Sequence, residues 1–270
     1  MAAITVTSAD GTKINAHSYG TGRALVIVSG ALFASQLWLK VVPLISTQHN
    51  AIVIDRRGRG ASGNSAAYAP ERELEDISAV LESIDGPIDL LGHSSGAILS
   101  LQVAQRTPRN LARLIVYEPP VFFAAEDHIA TDLPERLEAL LAAGHPEAAV
   151  ETFLREGPRN PEADLSALKA APTWAPLVKA FAHTVPYDAR VQRAYSGDAA
   201  DLARVRIRTL MLLGASSPPR MRSAAETIAA RLPNATITEL AGQQHVAMLS
   251  APALFASAVN DFLSLPPVYG

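Results

Sequence analysis

Pro87-Ile88-Asp89-Leu90-Leu91-Gly92-His93-Ser94-Ser95-Gly96-Ala97-Ile98-Leu99-Ser100-Leu101-Gln102-Val103-Ala104 is the stretch that decides the fold. A short apolar run ends in Gly-His-Ser-Ser-Gly, and a helical pattern begins at once. That is strand, sharp turn, helix, with a serine at the apex. Such a turn holds its central residue in a strained backbone conformation, so the neighbours two positions away must lack a Cβ. Gly92 and Gly96 meet that need only if Ser94, not Ser95, is the apex. The apex hydroxyl then stands clear of the sheet at a helix N-terminus, where free N–H groups and the helix dipole favour a developing oxyanion. Ser94 therefore reads as a nucleophile.

Upstream, residues 3–8 and 13–19 read as two strands joined by Ala9-Asp10-Gly11-Thr12, a hairpin signal. Ala24-Leu25-Val26-Ile27-Val28-Ser29 is continuously apolar, as a buried strand is. A helix is expected over 37–45, a buried strand over 51–55, and an amphipathic helix over 71–84 with Leu74, Ile77, Val80, Leu81 and Ile84 on one face. Downstream of the elbow helix another strand is expected at Leu111–Tyr117. Alternating strands and helices predict a mainly parallel sheet covered on both faces, an α/β class.

The rhythm breaks after Glu118-Pro119-Pro120. Residues 121–202 contain no convincing strand, only helical stretches near 134–143, 146–155, 162–169, 175–182 and 187–195. The sheet pattern resumes at Arg208–Gly214, then a helix over 222–231, a strand over 236–240 and a last helix over 252–263. The division is an α/β core, 1–120 and 203–270, with an inserted helical cap at 121–202. A helical insertion between sheet strands is expected over the C-terminal edge, where open α/β sheets bind ligands.

Apolar residues make up 49% and charged residues 18% of the 270, enough for one large core. Net charge is −3 with no long run of one sign, which argues against nucleic-acid or membrane-surface partners. Without cysteine there is no disulfide, thiolate nucleophile or Cys-ligated metal. The first residues alternate like a strand and lack a signal-peptide layout, so a cytoplasmic location is expected. The Ala- and Arg-rich composition is compatible with a bacterial source. No pair of histidines has metal-ligand spacing, and neither a metal nor a cofactor is expected. The partner expected is a small-molecule substrate, for a monomer or homodimer.

Four pieces of the chain resemble the α/β-hydrolase family: the strand ending in Ser29-Gly30-Ala31, the Asp55-Arg56-Arg57-Gly58-Arg59-Gly60-Ala61-Ser62 loop, the elbow at 92–96, and Gly242-Gln243-Gln244-His245. The resemblance covers nearly the whole chain, and the helical insertion stands where that family carries its cap. It implies that His245 is the base beside the elbow. It also implies an oxyanion hole made by the main-chain N–H of Ser95 and of Ala31, with Leu32 as the near alternative. Many relatives have His-Gly where this chain has Ser29-Gly30. The family's usual acid follows the strand at Arg208–Gly214. Here that loop reads Gly214-Ala215-Ser216-Ser217-Pro218-Pro219-Arg220 and holds no carboxylate. Either the acid has moved or the triad is incomplete. Glu118, at the end of the strand after the elbow helix, is the displaced acid by position, similar to the placement in haloalkane dehalogenases. Its rivals are Asp188, Asp198 and Asp201.

The remaining histidines, 17, 49, 128 and 145, read as surface or packing residues. His93 points away from Ser94; His183, in the insertion, is a candidate pocket lining, with packing the plainer expectation. Leu32, Phe33, Trp38, Phe122, Phe123 and Trp174 are candidate pocket walls. Gly58-Arg59-Gly60-Ala61-Ser62-Gly63 fits a G-x-G-x-x-G pattern, but 64–70 opens no helix on which a phosphate would sit. Asp55 and the two glycines read as a turn, with Arg56, Arg57 and Arg59 as a solvated rim. The expected activity is serine hydrolysis of an ester, thioester or lactone. The alternatives are a cyclase or acyl-transfer enzyme on the same site, and a non-hydrolytic small-molecule receptor.

Overall fold

The apolar runs assemble into one eight-stranded sheet in the computed structural model of the chain, which describes residues 2–65, 67–121, 123, 128–195 and 197–267. The strands are β1 (Ala2–Thr7), β2 (Lys13–Tyr19), β3 (Ala24–Val28), β4 (Asn50–Asp55), β5 (Ile88–His93), β6 (Leu111–Tyr117), β7 (Arg208–Gly214) and β8 (Ala235–Leu240). Their order is β1-β2-β4-β3-β5-β6-β7-β8; β2 pairs antiparallel with both β1 and β4, and every later pairing is parallel. The α/β expectation holds.

Side chains alternate across a strand. Val26 and Val28 of β3 accordingly face one cluster, with Leu90, Val116, Ile98 and Leu101. Leu25 and Ile27 face the other, with Leu91, Ile115, Phe255 and Phe262. Both faces being buried explains why the central strands read as unbroken apolar runs. The helices that cover them include α2 (Pro70–Glu82), α3 (Ser95–Gln105), α10 (Pro219–Arg231) and α12 (Pro252–Ser264).

The helix expected over 37–45 is broken. A 3-10 turn at Ser35–Trp38 is followed by α1 (Val42–Ile45), with Pro43 in its first turn. A continuous helix would need the N–H that Pro43 lacks and would drive its ring into the carbonyl four residues back.

Among the described residues, six α-helices lie between β6 and β7: α4 (Leu133–Ala142), α5 (Pro146–Glu156), α6 (Glu162–Ala170), α7 (Trp174–Phe181), α8 (Val185–Ala194) and α9 (Ala199–Leu202). The first five share a third apolar cluster, in which Leu133, Leu137, Val150, Phe153 and Val185 are buried, whereas Leu202 of α9 is buried in the sheet-face cluster with Val26 and Val28. Leu32, from the loop after β3, is buried in this cluster too, so the insertion packs onto the C-terminal end of the sheet. The short helix α11 (Ala247–Ser250) follows His245.

Candidate active site

Ser94 has φ 56° and ψ −127°, between the end of β5 and the first residue of α3. A non-glycine residue held there is strained and persists only because its surroundings over-determine it. Its N–H donates to the Tyr117 carbonyl at 2.9 Å, and its own carbonyl accepts from Ala97 N–H at 2.8 Å. A Cβ on Gly92 would lie 2.5 Å from the Gly96 carbonyl oxygen, and one on Gly96 would lie 2.5 Å from that of Ser29. The two glycines therefore let the turn close against its own helix and against the loop after β3. Gly30 is tight for a third reason: a Cβ there would stand 2.6 Å from Ser94 Cβ.

His245 meets Glu118 across 127 residues, Nδ1 donating to Oε2 at 2.7 Å. The other carboxylate oxygen accepts from Gly214 N–H at 2.7 Å and from Ser217 Oγ at 2.5 Å. Burial by itself would push the Glu118 carboxyl up. The bonds from His245, Ser217 and Gly214 outweigh it and hold the carboxyl below its ordinary range. The serine that stands where relatives place an acid thus donates to the acid on the neighbouring strand. Among the described residues, no hydrogen bond joins Ser94 Oγ to His245; such bonds often tighten only once substrate is bound.

Two residues that the sequence left as bystanders fix the histidine loop. His93 Nε2 donates to the His245 carbonyl at 2.9 Å, and its ring lies 4.7 Å from that of His245. Burial, reinforced by His245, pushes its pKa well down, so the ring is neutral, with its proton on Nε2. Tyr117 donates its hydroxyl to the Gln244 carbonyl and accepts from Ala247 N–H at 3.2 Å. The residues just before Ser94 and just before Glu118 therefore both grip the loop that carries His245.

Ser95 follows Ser94 directly, and Ala31 follows Gly30, the residue packed against Ser94. Neither N–H is taken by another group among the described residues. The neighbouring arginines require a correction: Arg56, Arg57 and Arg59 do not form a solvated rim but are buried, each no more than 2% exposed. Arg57 is clamped by Asp76 with two bonds of 2.7 Å and donates to Asp10 at 3.0 Å. Arg56 pairs with Glu73, and both Arg56 and Arg59 pair with Asp188. Asp188, a rival for the triad acid, is engaged by these arginines instead of His245.

The candidate pocket walls scatter. Leu32 lies in the insertion's apolar cluster at φ 62°, alongside Trp174, whose Nε1 donates to Glu147 at 2.7 Å. Trp38 is a core residue, fully buried edge-on to His93 and Phe255, with Nε1 donating to Ser29 Oγ at 2.9 Å. Phe33 is half-buried against the same core. Phe123 carries the Arg231 guanidinium 4.3 Å from its ring centroid. Phe122 lies outside the described residues. His183 Nε2 bonds the Gly58 carbonyl at 2.8 Å, and His17 Nε2 bonds Asp55 at 3.0 Å. Among the described residues no group of three or more His, Asp or Glu side chains is placed to hold a metal ion, and no helix is long and apolar enough to cross a membrane.

The profile described as "Alpha/beta hydrolase family" matches residues 25–258. Among solved structures, an alpha/beta hydrolase from Sphaerobacter thermophilus superimposes with a TM-score of 0.89 at 36% identity, covering 97% of this chain and 100% of that one. The (E)-2-((N-methylformamido)methylene)succinate hydrolase of Acinetobacter baylyi is 24% identical over 255 residues, 92% of this chain and 93% of its own. N-formylmaleamate deformylase of Pseudomonas putida is 29% identical over 140 residues, about half of each chain.

Proposed function

The chain belongs to the alpha/beta hydrolase family and is an enzyme, and on that premise we propose that it is a serine hydrolase working through a covalent acyl-enzyme. Ser94 attacks the acyl carbon as its proton passes to Nε2 of His245. Glu118 holds the imidazole by Nδ1 and stabilises the cation that forms. The N–H groups of Ala31 and Ser95 take the charge that builds on the carbonyl oxygen. Collapse of the tetrahedral intermediate expels the leaving group, which takes the proton from His245. Water, deprotonated by the same histidine, then cleaves the acyl-enzyme and restores Ser94.

The observation that carries this reading is the 2.7 Å bond from His245 to a buried carboxylate, on a loop gripped by the residue next to a strained serine. Residues 121–202 serve as the cap, and an ester, thioester or lactone is the substrate class. A second reading, hydrolysis of a formamide or related C–N acyl bond, is favoured by the names of the two relatives, a deformylase and an N-methylformamido-succinate hydrolase.

A fluorophosphonate probe and intact mass spectrometry test the mechanism. The expected result is one phosphonyl adduct on Ser94, lost in Ser94→Ala; an unlabelled, inert wild type overturns it. A panel of short p-nitrophenyl esters, thioesters, lactones and N-formyl compounds then ranks the substrate classes.

A further inference from the structure

The buried cluster around Arg56 and Arg59 has no part in the steps above, yet its bonds converge on the two proposed oxyanion donors. Arg56 Nε and Nη2 donate to both oxygens of Glu73 on α2, at 2.6 and 2.7 Å. Its Nη1 donates to Asp188 Oδ1 on α8 at 2.9 Å, to Ser95 Oγ at 3.0 Å and to the Ser29 carbonyl at 3.2 Å. Arg59 donates from Nη2 to Asp188 Oδ2 at 2.5 Å and from Nη1 to the Gly30 carbonyl at 3.1 Å. Ser95 Oγ closes the ring by donating to Asp188 Oδ1 at 2.7 Å. Tyr68 donates to Glu73 at 2.7 Å and stacks on Tyr187 of α8, ring centroids 3.9 Å apart.

Charge balance explains why such a cluster tolerates burial: two guanidinium groups face two carboxylates. It does not explain the choice of the other acceptors. The Gly30 carbonyl and the Ala31 N–H are the two ends of one planar peptide unit. Fixing the carbonyl on Arg59 fixes the direction of the N–H, and drawing charge from the oxygen strengthens the N–H as a donor. Arg56 pins the preceding peptide through Ser29. Across the site the same cluster grips the side chain of Ser95, whose N–H is the other donor. Both halves of the hole are tied to one carboxylate, and that carboxylate belongs to α8 in the insertion.

We propose that Arg59, Arg56 and Asp188 are positioning residues that hold the Ala31 and Ser95 N–H groups in oxyanion-binding geometry and make that geometry depend on α8 being docked. The inference rests on the serine-hydrolase reading. A remote shift of a donor by about 1 Å is enough to slow a reaction on the order of 10²-fold.

The test uses saturation kinetics of a fluorophosphonate probe, which separates the inactivation rate (kinact) from probe binding (KI), and the affinity of an aryl trifluoromethyl ketone, which forms a tetrahedral oxyanion on the serine. Arg59→Gln and Ser95→Ala are expected to lower kinact about tenfold or more with KI within about threefold, and to weaken ketone binding in step. Arg59→Lys, which keeps the charge but not the fork, should recover part of the loss. Folding of each variant is checked by circular dichroism. If Arg59→Gln does not fold, Ser95→Ala, which removes one hydroxyl and keeps the N–H, decides on the same readouts. Wild-type kinact and ketone affinity in folded variants, with only the melting temperature lowered, would overturn the inference and leave the serine mechanism standing. A wild type that the probe does not label removes the serine mechanism and the inference with it.

Discussion

Glu118 Oε2 lies 2.7 Å from Nδ1 of His245, and its other oxygen is held by the loop where a triad acid would more often reside. On the serine-hydrolase reading, the acid stands one strand along the sheet, at the end of β6 instead of β7. The loop after β7 still touches it, through Gly214 N–H and Ser217 Oγ. Because β6 and β7 are parallel neighbours, with Tyr117 in register with Leu212, both strand ends open onto the same edge. A carboxylate at either end can reach the same histidine.

Replacing the carboxylate with an amide tests its charge. Glu118→Gln keeps the shape but supplies no negative charge to an imidazolium, so turnover should fall roughly 10²–10⁴-fold. Steady-state hydrolysis of a p-nitrophenyl ester, beside a thermal melt, reads the effect. Undiminished turnover in the folded variant would remove Glu118 from the mechanism.

Ser217→Ala deletes the 2.5 Å bond to Glu118 Oε1. That bond favours the ionised form, so its loss raises the Glu118 pKa from its depressed position. A group with a depressed folded pKa contributes stability above its ordinary pKa that is lost as pH falls through the folded value. The acid limbs of both kcat/KM and stability should therefore move to higher pH in the variant. Superimposable pH profiles would show that Ser217 does not tune the acid.

His93 gains a positive charge on protonation where Glu118 loses a negative one, yet both make the fold sensitive to acid. It is buried and neutral in the fold, while in the unfolded chain it takes up a proton below its ordinary value of 6.5. Stability should rise with pH up to about 6.5, with a slope of up to about 1.4 kcal/mol per pH unit for that one proton. His93→Gln retains a donor for the His245 carbonyl without the titration. Urea unfolding at several pH values between 5 and 7 should give it a shallower slope; parallel slopes would exclude His93 as the source.

Gly96→Ala drives a Cβ into the Val28 carbonyl oxygen and to 2.5 Å from that of Ser29, both main-chain atoms. Neither side can yield without opening the elbow, so a cost of about 1–3 kcal/mol or more is expected. Probe labelling of Ser94 should drop with it. Gly144, at φ 78° with nothing within 4 Å of where a methyl would stand, is the control for backbone strain alone. Gly144→Ala should lower the melting temperature and leave labelling intact.

The core offers a packing test away from the chemistry. Leu101 on α3 is fully buried in the cluster that also holds β3, β5 and α2 residues. Leu101→Ala should destabilise the protein by about 2–5 kcal/mol through lost burial and the cavity left behind. Denaturant unfolding measures it, and a change below about 1 kcal/mol would mean that the site collapses.

The sheet, its two covered faces and the elbow are legible in the sequence because each rests on short-range rules. Unbroken apolar runs mark strands buried on both sides, and the pair Gly92 and Gly96 follows from the sterics of five consecutive residues. That Glu118 lies on the edge His245 reaches is legible from its place at a strand end, since parallel strands deliver their C-terminal residues to one edge. Other features are not local. Arg56, Arg57 and Arg59 look like a solvated run until Glu73, Asp76 and Asp188 arrive, the last from 132 residues beyond Arg56. Ser217 is a donor to Glu118, and His93 and Tyr117 are anchors of the histidine loop, only because β5, β6 and β7 lie side by side. Trp38 reads equally well as pocket or core, and its full burial is decided by Phe255, far along the chain. Apolar periodicity and turn sterics act within a few residues and so are written in order along the chain. Whether a charge is solvated or buried, and which oxygen it bonds, depends on partners that only the folded chain brings within 3 Å.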